Sequence, residues 1–285
     1  MNIKKTLAIL FAVSAFCACD KIEGPYITPD ESVTTDVEFP ELDLNNVYRK
    51  VLIEEYTGHR CTNCPDGHRE LEILKERYGD TLIAIGVHAG TFAKPLGNFT
   101  ADYQTEEGNT LYADFGVANV GTPAGVVNRT QYNNSYALGV STWQQAILQQ
   151  KSQPCVAAIQ LINVFDAATQ TLTAHTQTTF LTDYNSDVQI ALYVIEDNIV
   201  SPQKDGENTI DNYVHKHVLR GSLNGVYGAP MTEEIGISSG EKLLKSYQID
   251  CSTKDWNFAN CSVIAILMDA TTKEVLQVEQ AKFYE

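Results

Sequence analysis

Two cysteines separated by two residues are the feature of this sequence most capable of chemistry. They are Cys61 and Cys64 in the stretch EYTGHRCTNCP, which runs from Glu55 to Pro65. Such a pair can exchange disulfides with another protein, supply half of a zinc site, or form a permanent structural disulfide. The elements that surround the pair help to choose among these three interpretations.

The residues around the pair predict a strand, a turn and a helix. The strand pattern is Lys50 to Tyr56, and Pro65 to Tyr78 is helical, with its apolar residues on one stripe. Cys64 therefore begins the helix, where unpaired N–H groups and the positive dipole end favour a thiolate. Lowering a thiol pKa from about 8.5 to about 7 takes roughly 2 kcal/mol, and helix-end effects, with Arg60 as a further contributor, can supply most of it. This position favours Cys61 as the attacking nucleophile and Cys64 as the resolving thiol.

The alternatives to exchange chemistry are a zinc site and an idle disulfide. Zinc takes four ligands, and the sequence has no second C-x-x-C pair, although His59 and His68 flank the first. We predict no metal, and glycine-rich phosphate loops are absent, so we predict no cofactor. A permanently oxidised, catalytically idle pair stays open as an interpretation.

The following residues continue an α/β pattern. Thr81 to His88 predicts a strand covered on both faces, and Gly125 to Asn128 a shorter one, while 100–115 and 141–150 predict helices. His88 ends a strand at the edge where α/β sites collect. We therefore predict His59, Arg60 and His88 as neighbours of the site.

The pattern changes after residue 154. Apolar, β-branched runs recur without long helices between them, at 155–165, 171–181, 188–196, 213–220, 242–250, 261–268 and 274–284. Short strands at such spacing predict an antiparallel sandwich of the immunoglobulin type. Cys251 ends one run and Cys261 opens the next, so a hairpin would join them in a disulfide, with the pairing of Cys155 left open.

The first residues predict export. Lys4 and Lys5 precede a short apolar run that ends in Cys17-Ala18-Cys19, which is typical of a secretory signal. The cysteine after Ala18 resembles a bacterial lipoprotein signal and implies lipidation of Cys19 once residues 1–18 are removed. Residues 19–48 are acidic and interrupted by prolines, which predicts an extended tether outside the cytoplasm. The net charge of −16 argues against nucleic acid as a partner.

The order strand, C-x-x-C, helix, strand, helix and proline-bearing strand resembles the thioredoxin fold over residues 49–153. The resemblance implies that Glu55 accepts and returns the proton of Cys64. It also implies that Thr122-Pro123 is a threonine–cis-proline element that docks a partner chain beside the cysteines. Because side chains alternate along a strand, we expect only one of Glu54 and Glu55 to face inward.

The chain as a whole resembles the 28-kDa outer-membrane-protein-related lipoproteins. The resemblance rests on the signal, the tether, and the stretches EYTGHRCTNCP, IGVHAG, VGTPAGVVNR and HKHVLRGSLNGVYG. It implies an outer-membrane lipoprotein, on a membrane face left open. The sequence patterns and the thioredoxin resemblance together predict an α/β thioredoxin-like domain (49–153) followed by an all-β, immunoglobulin-like sandwich (154–285). We expect exchange with protein thiols or disulfides. The alternative is a non-catalytic surface lipoprotein that binds a protein or glycan.

Overall fold

The computed structural model describes residues 37–233 and 235–284. The predicted signal peptide, the lipidation site Cys19 and the first part of the tether lie outside the described residues. The α-helices are α1 (Cys64–Tyr78), α2 (Glu106–Asp114) and α3 (Trp143–Lys151). The strands are β1 (Val51–Thr57), β2 (Leu82–His88), β3 (Ala124–Val127), β4 (Ala137–Leu138), β5 (Ala157–Asp166), β6 (Thr171–Phe180), β7 (Val188–Glu196), β8 (Ile199–Asp205), β9 (Asn208–His215), β10 (Val218–Ser222), β11 (Ala229–Pro230), β12 (Lys242–Asp250), β13 (Cys261–Asp269) and β14 (Val275–Lys282). Short 3-10 turns lie at Leu44–Asn46, Gly79–Thr81, Thr91–Ala93, Val117–Asn119, Val140–Thr142 and Phe258–Asn260.

The first half of the described chain builds one end of a large sheet. Strand β1 pairs in parallel with β2 and antiparallel with β3, and β3 pairs antiparallel with β4. Helices α1 and α3 cover one face of these strands through a core that includes Val51, Ile53, Leu74 and Trp143. Helix α1 begins at Cys64, as predicted, and ends before Gly79, whose φ of 57° suits a residue without a side chain.

The same sheet continues into the second half of the chain. Its strand order is β14-β13-β7-β10-β2-β1-β3-β4, with β11 also paired to β7. The junction is the parallel contact of β10 with β2, where the backbone N–H of Gly86 donates to the carbonyl of His217 at 2.7 Å. Strands from both sides of the predicted boundary at residues 153 and 154 therefore share one sheet.

A second sheet, ordered β12-β6-β5, packs against the far end of the first. Leu172 and Phe180 of β6 meet Leu192 of β7 and Leu267 of β13 in the core between them. Alternate residues of β7, such as Tyr193, instead join a core on the opposite face of the large sheet, together with Tyr56 of β1. In the second half the smaller sheet thus packs on the larger sheet, which continues into the first half.

Strands β8 and β9 form a hairpin that the sequence pattern did not predict. The hairpin pairs only with itself among the described strands, and β9 is largely exposed, so its polar sequence carries little apolar alternation. The single strand predicted at 213–220 is wrong. It is broken at Lys216 and His217, and the φ of 56° at His217 ends β9 before β10 begins.

Candidate functional site

The cysteine pair lies at the turn between β1 and α1. Cys61 and Cys64 form a disulfide, with their Cα atoms 5.4 Å apart. Cys64 is the first residue of α1 and is fully buried, whereas Cys61 retains 3% of its surface in contact with solvent. The residues between them, Thr62 and Asn63, are exposed. The attacking sulfur inferred from the sequence is therefore the outer one of the pair.

The Thr122-Pro123 element approaches the outer cysteine from a distant part of the sequence. The Sγ atom of Cys61 lies 3.6 Å from the carbonyl oxygen of Thr122. The Thr122–Pro123 peptide bond is cis, which confirms the expectation drawn from the resemblance. Both residues are half-buried, so this bend forms part of the surface that surrounds Cys61.

Glu55 lies beneath this surface. A Cβ atom placed on Gly67, in the first turn of α1, would lie 2.8 Å from both Oε1 of Glu55 and Cβ of Pro123. The carboxylate, the proline and the start of the helix are therefore in close contact. Glu55 is 3% exposed, and burial, helped by the charge of Glu72, raises its pKa to about 8. A carboxyl group with this pKa can both take up and release a proton near neutral pH.

The expectation that only one of Glu54 and Glu55 faces inward is wrong. Glu54 is fully buried on the opposite face, where its carboxylate accepts hydrogen bonds from Arg129, the shortest at 2.7 Å. Arg129 is also buried, and the hydroxyl of Tyr193 lies 3.2 Å from its Nη2. The reason is that β1 is a central strand covered on both faces, so alternation places each carboxylate in a different core.

The β8–β9 hairpin holds the loop that carries Cys61. The backbone N–H of Lys204 donates to the carbonyl of His59, and that of Gly206 to the carbonyl of Thr62, both at 2.8 Å. Gln203 is fully buried, and its Nε2 donates to the carbonyl of Cys61 at 3.1 Å. Sequence reasoning missed Gln203, because a glutamine within a polar strand carries no signal for a contact with residues about 140 positions away.

The three predicted site neighbours have different surroundings. His59 and His88 are both buried in an aromatic cluster around Tyr103, with ring centroids 6.2 and 5.1 Å from that of Tyr103. Burial lowers the pKa of both histidines, so both are neutral near pH 7. His215 joins the same cluster from β9. The Arg60 guanidinium instead donates to the carbonyl of Thr91, beside the loop.

The predicted Cys251–Cys261 disulfide is absent, and both residues are free, buried thiols. The prediction assumed a hairpin, but β12, which ends at Asp250, belongs to the smaller sheet, and β13, which begins at Cys261, belongs to the larger one. The link between them crosses from one sheet to the other. Cys155 is also free, and its thiol donates to the carbonyl of Ala157 at 3.2 Å.

Two further properties bear on function. Within residues 37–233 and 235–284, no group of three or more His, Cys, Asp or Glu side chains is arranged to hold a metal ion. Along the same residues, no helix combines the length and the apolar character needed to cross a bilayer.

The fold and the disulfide-bearing loop define the class as a mixed α/β protein with an oxidised C-x-x-C pair at a helix start. The chain belongs to the outer membrane protein Omp28 family, whose model matches residues 108–285. The protein is therefore an outer-membrane protein, which confirms the family and the outer-membrane localisation expected from the sequence, while lipidation of Cys19 stays a prediction. The matched segment excludes Cys61 and Cys64, so the family match carries no statement about the chemistry of the pair.

Two solved structures show a similar fold over most of the chain. HBP35 of Porphyromonas gingivalis is similar over 82% of this chain and 75% of its own, with a TM-score of 0.60 and 14% identity. A structural-genomics protein from Agrobacterium tumefaciens covers 84% of this chain and 96% of its own, with a TM-score of 0.51 and 11% identity. A domain of the outer membrane lipoprotein Omp28 from P. gingivalis aligns with 46% of this chain and 89% of its own, at a TM-score of 0.30 and 20% identity. The comparison with curated proteins gave no match.

Proposed function

We propose that this outer-membrane protein is a lipid-anchored thiol–disulfide oxidoreductase that acts on protein substrates. In this proposal residues 49–153 are a thioredoxin-like domain, and residues 154–285 are an immunoglobulin-like sandwich that selects partners or positions the first domain. The strand order β2-β1-β3-β4, with α1 and α3 on one face, supports the thioredoxin-like assignment. The two facing sheets of the second half support the sandwich.

One observation carries the proposal. The outer sulfur, Sγ of Cys61, lies 3.6 Å from the carbonyl of Thr122, while the carboxyl group of Glu55 lies beneath the same helix turn. A nucleophile, a backbone edge that can pair with a bound polypeptide, and a buried acid with a pKa of about 8 are thus in one place. These are the groups that disulfide exchange on a protein substrate requires.

The exchange proceeds in two steps. The thiolate of Cys61 attacks one sulfur of the partner's disulfide, a mixed disulfide forms, and the partner's other sulfur leaves as a thiolate that solvent protonates. Cys64 then gives its proton to Glu55 and attacks Cys61, which restores the Cys61–Cys64 disulfide and releases the partner's second thiolate. The partner gains two electrons and the protein loses two. The reverse reaction oxidises a partner dithiol through the same steps.

The test is a pair of activity assays on the purified protein. We expect the reduced protein to reduce insulin, or the oxidised protein to oxidise a dithiol peptide, and the Cys61→Ser variant to lose that activity. Cys155→Ser is the matched control, because Cys155 is a free thiol that lies just before β5, far along the chain. Equal activity in the wild type and Cys61→Ser would refute the proposal. If the activity depends on Cys61, trapping a mixed disulfide with the Cys64→Ser variant identifies the partner protein.

The burial of the disulfide favours a second candidate function. With 3% of Cys61 and none of Cys64 exposed, the pair could be a structural element in a lipoprotein that binds a protein or glycan. Thiol alkylation separates the two functions. After mild reduction, an exchange protein labels at Cys61 near pH 6 before it labels at Cys64. A binding lipoprotein keeps the pair oxidised under millimolar reductant.

A further inference from the structure

Glu55 is buried next to the cysteine loop and is isolated from solvent. Its side chain is 3% exposed, and among the described residues its Oε1 has no hydrogen-bond partner. A buried acid that takes a proton from Cys64 must later return it to solvent. Protons move between groups that are in hydrogen-bond reach or joined by one water molecule, so Glu55 requires a neighbour that leads outward.

His68 is that neighbour. It lies on α1, four residues after Cys64, and its Nε2 is 3.5 Å from Oε1 of Glu55 and 2.9 Å from Oγ1 of Thr57. The other ring nitrogen, Nδ1, lies 2.6 Å from the hydroxyl of Tyr213 in β9. The His68 side chain is 17% exposed against 3% for Glu55, and Tyr213 is half-buried. Solvent contact therefore increases from Glu55 to His68, and Tyr213, like His68, is half-buried.

A cavity of about 500 Å³ accompanies this series. It lies between α1 and the end of β9, and Glu55, His68 and Tyr213 all line it. Its lining also includes the exposed residues Val214 and Lys216, which places its mouth at the protein surface. The cavity is large enough to hold water molecules, and Glu55, His68 and Tyr213 supply polar atoms along its wall.

The electrostatic surroundings keep His68 neutral. Burial is the largest cause that lowers its pKa, to about 3; His215 and Arg69 act in the same direction, and Glu72 acts in the opposite one. A neutral imidazole has one N–H and one lone pair, so it can accept a proton on one nitrogen as it releases another from the second. His217 also faces the ring, but it is engaged by Asp197 and Glu72.

We propose that His68 relays protons between Glu55 and solvent, with Tyr213 of the β8–β9 hairpin orienting its ring. When Glu55 has received the proton of Cys64, it passes that proton to Nε2 of His68, and Nδ1 releases its own to cavity water, either directly or through the Tyr213 hydroxyl, which gives up its own proton to water as it accepts one. No electron moves in this step, and the imidazole ends neutral. The physiological role of the relay rests on the proposed oxidoreductase function, but proton transfer to Glu55 can be measured without exchange activity.

The experiment is a pH jump on the oxidised protein, followed through the infrared band of the protonated Glu55 carboxyl group. Glu55→Gln identifies the band by removing it. We expect the band to respond at least about tenfold more slowly in His68→Gln than in the wild type, because an amide cannot accept and release protons. Tyr213→Phe, which keeps the ring and its packing, should also respond more slowly than the wild type.

Unchanged rates in His68→Gln would overturn the relay, and an unchanged rate in Tyr213→Phe alone would overturn the part assigned to Tyr213. Fluorescence unfolding curves are recorded for both variants, and if His68→Gln does not fold, His68→Asn is measured in its place and an unchanged rate there overturns the relay. If the wild type exchanges no disulfides while the infrared rates change as expected, the oxidoreductase proposal fails and the relay stands.

Discussion

Glu54 and Glu55 are consecutive residues of β1, yet their carboxyl groups are buried on opposite faces of the same sheet. Glu54 is neutralised by Arg129, with a shortest contact of 2.7 Å, whereas Glu55 lies beside α1 and the neutral His68. Removing the charge of a paired buried carboxylate destabilises the protein, whereas removing that of an unpaired one relieves a cost. The pair therefore provides a matched test within one strand.

Replacing Glu55 with glutamine should stabilise the protein at neutral and alkaline pH. The pKa of Glu55 is raised by burial from 4.5 to about 8, so the folded state binds its proton more tightly than the unfolded state does. The contribution of this tightly held proton to the free energy of unfolding is fully present below pH 4.5. It is lost as the pH rises toward 8, by up to about 5 kcal/mol. The free energy of unfolding of Glu55→Gln minus that of the wild type should therefore grow over this window in urea titrations. A difference that is flat from pH 4.5 to 8 would contradict the assignment.

Replacing Glu54 with glutamine should have the opposite effect and destabilise the protein. The substitution leaves Arg129 buried without a counter-charge, and we expect a loss of about 3–5 kcal/mol near pH 7. The same urea titrations measure it. A variant as stable as the wild type would mean that Arg129 finds another partner or reaches solvent.

Gln203→Ala should loosen the cysteine loop. Its amide donates to the carbonyls of Cys61 and Gly58. The Gly58 carbonyl keeps a second donor, the backbone N–H of Cys61, but the buried Cys61 carbonyl loses this bond, at a cost of about 1–3 kcal/mol. Lys204→Ala is the control, because Lys204 binds the loop through its backbone N–H and the substitution leaves that bond in place. Hydrogen exchange of residues 58–64 should rise in Gln203→Ala alone, and equal exchange in both variants would count against the contact.

Gly67→Ala should be destabilising even though alanine favours helices. The added Cβ would lie 2.8 Å from Glu55 Oε1 and Pro123 Cβ, so the site must expand, at a cost of about 1–3 kcal/mol. Gly139→Ala is the control, since a Cβ there meets no atom within 4 Å and its φ of −68° is ordinary. Thermal unfolding should separate the two variants, and a neutral Gly67→Ala would contradict the packing described for Glu55.

The cysteines of the second half should behave as buried thiols. Burial raises the pKa of both Cys251 and Cys261, so alkylation of the native protein at pH 7 should leave both unlabelled. After denaturation without reductant both should label, while the peptide that carries Cys61 and Cys64 stays unlabelled. Peptide mapping by mass spectrometry makes the measurement, and a cross-linked Cys251–Cys261 peptide would restore the disulfide expected from the sequence.

The local elements near the cysteines could be predicted from sequence because local rules fix them. The start of α1 at Cys64 follows from Pro65 in its first turn, and its end follows from Gly79. Apolar runs similarly placed β2, β7 and β13 within one or two residues. The site contact between Cys61 and Thr122 required a resemblance, since no local pattern joins residues 61 positions apart.

The pairings between distant strand edges could not be predicted from sequence. The parallel contact of β10 with β2 depends on Gly86, where a Cβ atom would lie 3.2 Å from the carbonyl oxygen of Lys216. A single glycine in an apolar strand does not indicate which neighbour approaches it. The disulfide prediction failed for the same reason, because strand ends close in sequence, Cys251 and Cys261, suggest a hairpin unless the partner sheets are known.

The hairpin that holds the cysteine loop has a consequence for anyone who would excise the first half of this protein. A gene fragment ending at residue 153 would lack Gln203, Lys204 and Gly206, so the carbonyls of the cysteine turn would lose their donors. Strand β2 would also become a bare edge open to self-association. Inactivity or precipitation of such a fragment would reflect the missing hairpin and would say nothing about the chemistry of its sulfurs.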